Sequence, residues 1–161
     1  MTAEEVRSIP LSSFSFEEVL SDYAKGFLEA AIDGEGSIML LTYRRDTKYQ
    51  GTRVYYVPVL SIGNKSKAWL ELVRELFCDF SKIKDRKFGF YEYSVSRRAM
   101  RRVLPQLGLV IKEEQRILIL EALDIISKLR SYKDKYSLPF RDMSEALLAV
   151  IARKIKELNH I

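Results

Sequence analysis

The stretch Phe27–Ile38, FLEAAIDGEGSI, decides the fold and raises a question about charge. Apolar and small residues predominate in its first half, as in a packed helix, and then Asp33 and Glu35 stand between glycines. A helix that ends at Gly36 would place both acids at its carboxyl end, where the macrodipole is already negative. An uncompensated acid there costs about 0.3–1 kcal/mol. Some other group must therefore compensate for two of them.

One face of this predicted helix has almost no side chains. Gly26, Ala30 and Gly34 recur every four residues, and small-residue ridges let two helices cross at a short distance. The partner could be another helix of the same chain. However, the other predicted helices have no matching stripe, so a second copy of this helix is the favoured partner. The interface of such a dimer would contain Gly26, Ala30, Asp33 and Gly34, and a twofold axis would bring Glu35 beside its symmetry mate.

The paired helix ends would explain the two acids. Two Glu35 carboxylates, with backbone carbonyls such as that of Gly34, would form a pocket of hard oxygen ligands suited to Mg²⁺. The cation would remove the unfavourable interaction with the helix dipole. A simpler interpretation is that the acids and glycines only end a helix.

Length and composition favour one intracellular domain with a polyanionic partner. The 161 residues are 47% apolar and 30% charged, and the net charge of +5 with a pI of 9.3 favours a polyanion without requiring one. The single cysteine, Cys78, excludes a disulfide within the chain and a cysteine metal site, and a small buried side chain is expected there. The single histidine, His160, forms no cluster. No signal-peptide core and no run of about 18 apolar residues occurs. We therefore expect no membrane partner, and a location in the cytoplasm, the nucleoid or an organelle.

The order of predicted elements indicates an α+β domain. Ser15 followed by Glu18 is typical of a capping box, so the first helix is expected to run from there to Gly36. The hydrophobic periodicity then predicts strands over 37–43 and 53–63, a helix over 66–80, strands over 82–86 and 90–96, and helices over 97–104, over 113–129 and from a cap at Asp142 to about 158. Pro58 predicts an edge or bulged position. Alternating hairpins and helices predict an antiparallel sheet with helices on one face. Residues 1–161 are read as one domain, with a core over about 15–130 and a C-terminal helical extension over about 131–161.

The open face of the sheet is a candidate nucleic-acid surface. Strand alternation places cations, hydroxyl groups and tyrosines on it: Tyr43, Arg45, Arg53, Tyr55, Ser61, Lys84, Arg86, Glu92, Ser94 and Ser96. A twisted β-ribbon can enter the major groove of DNA, and Arg is the usual reader of guanine. A solvated sheet face with ordinary charges explains the same alternation equally well.

The first stretch also resembles the motif of a known family. Leu28-Glu-Ala-Ala-Ile-Asp-Gly-Glu-Gly36, followed by Ser37 and Ile38, resembles the motif of the LAGLIDADG homing endonucleases, although Glu29 and Ala30 stand where Ala-Gly is usual. The predicted element order is similar to that family's αββαββα fold, a saddle of antiparallel strands with helices on one face. A single motif resembles the single-motif, homodimeric branch of the family.

The resemblance implies roles for the acids of the motif. Glu35, the second acid, matches the family's metal-binding residue, whereas Asp33 mainly serves hydrogen bonds at the helix end. Asn64 closes the second strand and matches a polar residue that orders water near the metal. Without the resemblance, Asn64 would be a turn residue.

The resemblance also implies roles for three lysines. Lys112, at the start of the long helix after the second hairpin, matches a lysine beside the scissile phosphate. Lys67 matches loosely a basic residue early in the middle helix, and Lys65 competes for that role and is a candidate DNA contact. Without the resemblance, Lys112 would be one of 27 solvated cations and Lys67 a residue of the first turn of a helix.

The activity implied by the resemblance is site-specific cleavage of double-stranded DNA. A homodimer encoded by a mobile intron would hydrolyse phosphodiesters across the minor groove of a long, pseudo-palindromic target with Mg²⁺. Mn²⁺ is expected to substitute for Mg²⁺, and Ca²⁺ to bind without supporting cleavage. Two alternatives keep the fold without cutting: a splicing cofactor that binds the RNA of its host intron, and a DNA-binding repressor. A monomeric basic structural protein is a further alternative.

Overall fold

The computed structural model describes residues 20–48, 51–131 and 138–160. The predicted helix start at Ser15 lies outside these residues. The described elements are, in order, α1 (Asp22–Glu35), β1 (Gly36–Thr47), β2 (Gly51–Asn64), α2 (Lys67–Leu76), β3 (Ile83–Lys87), β4 (Phe90–Ser94), α3 (Arg97–Val103), a 3-10 turn (Leu104–Gln106), α4 (Glu113–Ser131) and α5 (Leu138–Asn159). Ser21 caps α1, because its hydroxyl accepts the Ala24 N–H at 3.1 Å.

The strands form one antiparallel sheet in the order β1-β2-β4-β3. The pairing of β1 with β2 is unbroken from Gly36 opposite Ile62 to Thr47 opposite Gly51. β4 pairs with the end of β2, from Ser61 to Asn64. The prediction of an α+β domain with an antiparallel sheet is therefore confirmed.

Side chains from alternate strand positions meet the helices and form the core. Ile38, Leu60 and Ile62 on the sheet and Leu28 and Ile32 on α1 are fully buried. These strand positions share one side of β1 and β2, so their neighbours in sequence point to the opposite face of the sheet. Residues of that opposite face such as Tyr43 and Tyr55 are exposed. Asn159 at the end of α5 donates its amide to the Ile38 carbonyl at 2.8 Å and fastens the C-terminal helix to β1.

Pro58 is accommodated in an inner strand. It lies opposite Leu40 in a regular register, so the predicted bulge is wrong. However, β4 pairs with β2 only from Ser61 onward. At Pro58, β2 therefore pairs with β1 in the described residues. The missing N–H of proline therefore falls where β2 has the character of an edge.

Two predictions about the residues after α2 are wrong. The helix ends at Leu76, and Cys78 is exposed rather than buried. The reason is that Cys78 has a φ of 49° and occupies the left-handed position that commonly ends a helix. Its N–H donates to the Glu75 carbonyl at 2.8 Å, which turns the side chain away from the core.

Two further boundaries differ from the predicted ones. β4 ends at Ser94, and Ser96 caps α3 by accepting the Ala99 N–H at 3.2 Å, so Ser96 is not on the open face of the sheet. α5 begins at Leu138, which places Asp142 inside the helix rather than at its cap. Pro139 fits the first turn of a helix, where no N–H is required, and the start lies upstream of the predicted cap for that reason. Within the described residues, no helix is long and apolar enough to cross a membrane.

Candidate functional site

The acids of the opening stretch lie at the end of α1, and Asp33 is fully engaged there. Its carboxylate accepts the backbone N–H groups of Val110, Ile111 and Lys112 at 2.8, 3.1 and 3.0 Å. These N–H groups precede α4 and have no partner within that helix. Asp33 therefore acts across the fold as a cap for the start of α4, in agreement with the helix-end role implied by the resemblance.

Lys112 returns the interaction to α1. Its ammonium donates to the carbonyls of Ile32 and Asp33 at 2.9 and 2.7 Å. These are carbonyls of the last turn of α1, where a cation is favoured by the helix dipole. We call the contacts between Asp33, Lys112 and the two helix ends the helix-end clasp. The clasp answers the question of charge for Asp33, because N–H donors compensate its carboxylate and an ammonium compensates the last carbonyls of α1. Within these described residues, it provides no hydrogen-bond donor to Glu35.

The Lys112 ammonium is partly buried at the carbonyl end of α1. Burial lowers the pKa of Lys112, while the charges of Asp33 and Glu35 act in the opposite direction. Glu35 itself is the last residue of α1 and is exposed, as is Gly34 before it. Of the two acids, Glu35 is the one presented outward.

The donor set at this helix end fits part of a metal site. Glu35 offers an outward carboxylate and Gly34 a main-chain carbonyl, which are oxygen ligands of the kind that Mg²⁺ prefers. Among the described residues, no group of three or more His, Cys, Asp or Glu side chains comes together that could hold a metal ion. Glu35 and Gly34 are therefore candidate ligands, and they do not form a complete metal site within the described part of one chain.

Asn64 lies at the same edge of the sheet. Because Gly36 pairs with Ile62, the end of β2 lies beside the junction of α1 and β1. The Asn64 side-chain oxygen accepts the Ser66 N–H at 2.8 Å, so Asn64 is a turn residue as well as a candidate site residue. Lys65 and Lys67 follow on this edge and are exposed, with Lys67 the first residue of α2.

The small-residue stripe of α1 faces outward. Gly26, Ala30 and Gly34 are all exposed, and nothing lies within 4 Å of a Cβ built at either glycine. Tyr23 on the same helix is 73% exposed. Next to the clasp, Val110 and Ile111 are 90% and 73% exposed although both are large and apolar. In the described part of the chain, apolar surface therefore surrounds the stripe and is left in solvent.

The open face of the sheet has the predicted composition. Tyr43 pairs with Tyr55, Arg45 with Arg53, and Ser61 with Ser94. Lys84 pairs with Glu92 across the second hairpin, and the Arg86 guanidinium donates to Glu92 at 2.9 Å. Tyr43 and Tyr55 are 53% and 42% exposed. The predicted residues of this face, apart from Ser96, thus share one surface.

Sequence reasoning missed two residues of this region. Glu29 accepts the Gly108 N–H at 3.2 Å and adds a second contact between α1 and the loop before α4. Phe90 begins β4 and is 41% exposed on the open face. The signal for Phe90 was available, because Phe90, Glu92 and Ser94 alternate along one strand.

Comparison with solved structures shows that this architecture is similar to that of homing endonucleases. The archaeal intron-encoded homing endonuclease I-Vdi141I, complexed with DNA, is 19% identical and superposes with a TM-score of 0.68 over 85% of this chain and 84% of its own. The homing endonuclease I-CvuI, in complex with uncleaved target DNA in the presence of Mg²⁺, is 16% identical with a TM-score of 0.66 over 89% and 85%. The LAGLIDADG homing endonuclease I-LtrWI, bound to target DNA, is 18% identical with a TM-score of 0.58 over 66% of this chain and 38% of its own.

The chain has the LAGLIDADG homing endonuclease fold. Its sequence matches no protein-family model, and no curated protein matches it. The predicted element order αββαββα is confirmed, with α3 as a short addition before the long helix and α5 as the C-terminal extension. In this LAGLIDADG fold the motif stretch ends α1, so the clasp joins the motif to the segment before α4.

Proposed function

We propose that this protein is a site-specific endonuclease that cuts double-stranded DNA as a homodimer with Mg²⁺. The observation that supports this most directly is the end of α1, where Glu35 is exposed and the clasp holds the Lys112 ammonium on the carbonyls of Ile32 and Asp33. Glu35 and Lys112 stand at the edge of an open, basic sheet face. Solved homing endonucleases of the same fold have been observed with DNA and with Mg²⁺ or Ca²⁺.

A homodimer is supported by the exposed stripe of α1. A second copy of the stripe of Gly26, Ala30 and Gly34 could approach closely, because no side chain stands between the two backbones. The exposed apolar groups of Tyr23 and Val110 would then be covered by the partner. The twofold axis would also bring two Glu35 carboxylates and two Gly34 carbonyls together. The partner would thereby supply the oxygen ligands that one chain lacks.

The metal site is proposed at Glu35, with Gly34 as its main-chain ligand. When bound there, Mg²⁺ would activate water and stabilise charge on the attacking and leaving oxygens of a phosphodiester. Mn²⁺ is proposed to substitute for it, whereas Ca²⁺ would occupy the site without supporting cleavage.

The clasp limits what Lys112 and Asn64 can do. An ammonium has three N–H groups, and the Ile32 and Asp33 carbonyls take two of them, so one remains to offset charge on a phosphate. The Asn64 oxygen accepts the Ser66 N–H, so its amide NH₂ is the group available to orient water. Lys67 and Lys65, both exposed at the same edge, are proposed to contact the DNA backbone.

Sequence recognition is proposed for the open face of the sheet. β1 and β2 would follow the major groove, and the Arg53 and Arg86 guanidinium groups would read guanine. Because a dimer presents two equal faces, the target would be approximately palindromic.

The proposed substrate is genomic DNA, so the proposed location is intracellular. Binding of intron RNA is the alternative that the experiment below also tests.

The test is cleavage of the DNA that flanks the gene's own insertion site. The wild type should cut both strands in Mg²⁺, whereas Glu35→Gln should bind the same duplex within about tenfold of wild type, or about 1.4 kcal/mol. Its cleavage should fall by several orders of magnitude, since the anion that would hold the metal is lost. Tight binding by the wild type without cleavage in Mg²⁺ or Mn²⁺ would overturn the nuclease proposal. A splicing or repressor role would then replace it, and binding of the host intron RNA would separate these two.

A further inference from the structure

The ring of Phe90 is seated on the backbone of Gly63. A Cβ built at Gly63 would lie 2.5 Å from Cζ of Phe90 and 2.9 Å from its Cε1, distances that real Cβ atoms do not tolerate. Gly63 lies opposite Glu92, two positions from Phe90 along β4, so the ring reaches diagonally across the pair of strands. The absence of a side chain at Gly63 is therefore a condition for this position of the ring.

Both residues belong to the open face. Phe90 alternates with Glu92 and Ser94 along β4, and Gly63 alternates with Ser61 along β2. The contact with Gly63 leaves Phe90 41% exposed. The ring is thus fixed on one side by the sheet and presents its other side to whatever binds this face.

A purely structural role accounts for only part of this arrangement. A ring that covers a glycine of a neighbouring strand stabilises a sheet by about 0.2–1 kcal/mol. Such a contact does not require the ring to stand among charged groups, yet the Arg86–Glu92 ion pair lies on the same hairpin and Lys65 follows the end of β2. A fixed apolar group on the same hairpin as a guanidinium is complementary to the major groove of DNA, which presents both hydrogen-bonding base edges and the C5-methyl group of thymine.

We propose that Phe90 is a specificity-determining residue that contacts a thymine methyl group in the major groove, with Gly63 as the seat that fixes its ring. This inference rests on the proposed function, since it requires that the open face binds duplex DNA. It differs from that proposal in naming an apolar reader and the base that it selects. Its neighbour Arg86 would read an adjacent base through hydrogen bonds instead.

The experiment replaces single thymines by deoxyuridine, which removes only the methyl group. A duplex is first selected from a randomised pool with the wild-type protein, and each thymine is then substituted in turn. In the wild type, one position in each half-site should lose about fourfold in affinity, the factor for one methyl-sized group removed from water. Phe90→Ala should bind the thymine and deoxyuridine duplexes equally at that position, and a melting curve should show that it is folded.

Two further variants separate seating from mere presence of a ring. Phe80→Ala is the matched control, because Phe80 is 97% exposed in the segment before β3 and away from the reading face, and it should keep the fourfold penalty. Gly63→Ala retains Phe90 but displaces its ring, so it should lose the penalty. If Gly63→Ala does not fold, the deoxyuridine penalty of Phe90→Ala is compared with that of Phe80→Ala, and this comparison still tests the thymine contact.

The outcomes distinguish this inference from the function on which it rests. If the wild type binds its selected duplex tightly but is insensitive to every deoxyuridine, or if Phe90→Ala keeps the penalty, the thymine contact is wrong while DNA binding stands. A selected duplex without a recurring thymine would have the same meaning. If no duplex is enriched by the wild type, the proposed function and this inference fail together.

Discussion

Two neighbouring acids of the motif should respond in opposite ways to the same kind of substitution. Asp33 accepts three backbone N–H groups from the segment before α4, whereas Glu35 is exposed at the end of α1. Asp33→Ala should therefore destabilise the fold strongly, and Glu35→Ala should not. The two variants lose one carboxylate each, so net charge is matched and only the hydrogen bonds differ.

The magnitude follows from the contacts at Asp33. Hydrogen bonds to a charged group contribute about 1.5–3 kcal/mol each, but Val110 and Ile111 are exposed, so water can replace the carboxylate at their N–H groups. Loss of a helix cap costs about 0.5–2 kcal/mol. Between these limits we expect the free energy of unfolding of Asp33→Ala to fall by about 2–4 kcal/mol. Glu35→Ala should change it by about 0.5 kcal/mol or less, and an increase is expected because an acid leaves a helix C-terminus.

The assay is urea denaturation followed by circular dichroism, with thermal melting as a second measurement. At this chain length, about 1 kcal/mol corresponds to about 2–4 °C in Tm, so Asp33→Ala should melt about 4–16 °C lower than wild type. All variants are compared at one protein concentration, because a dimer would make stability depend on concentration. Asp124→Ala is a further control, since Asp124 is an exposed acid that pairs with Lys128 on the surface of α4. Equal free energies of unfolding for Asp33→Ala and Glu35→Ala would refute the claim that the clasp stabilises the fold.

Three further predictions concern association, charge and pH. Ala30→Leu should convert a dimer to a monomer in light scattering, because its side chain enters the exposed stripe of α1, and a wild type that is monomeric at micromolar concentration with and without DNA would contradict this. Lys112→Met should lower both stability and cleavage, by removing two hydrogen bonds to α1 carbonyls, while Mg²⁺ still binds in a calorimetric titration; undiminished cleavage would exclude a role for the ammonium. The hydrogen bond from Arg116 lowers the pKa of Glu113 from 4.5 to about 2, so its contribution to stability is complete above pH 4.5 and is lost as the pH falls toward 2. Glu113→Gln should therefore make the free energy of unfolding decline less steeply as the pH falls through this interval. If the decline is as steep in Glu113→Gln as in the wild type, the pKa of Glu113 does not differ between the folded and unfolded states.

The sequence was sufficient for the faces of the sheet because that information is local. Alternation in β1 and β2 places Ile38, Leu60 and Ile62 on one side, and a shift of one residue would expose all of them, so burial determines on which face each side chain lies. The boundaries that were wrong depended on backbone geometry instead. A left-handed conformation is usually adopted by glycine, so a cysteine at position 78 does not predict it. The exposure of the Cys78 thiol follows from that conformation.

The candidate site shows the same division between local and distant information. The hydrogen-bonding role of Asp33 was expected from the resemblance, but its partners lie 77 to 79 positions away in the chain, and no periodicity specifies them. Lys112 was expected beside a phosphate, and the structure adds that the same ammonium closes the end of α1. Its two hydrogen bonds to main-chain carbonyls fix the ammonium at the end of α1. The clasp makes positioning of the candidate site inseparable from the stability of the fold, so a variant at Lys112 must be read with both activity and unfolding measured on the same preparation.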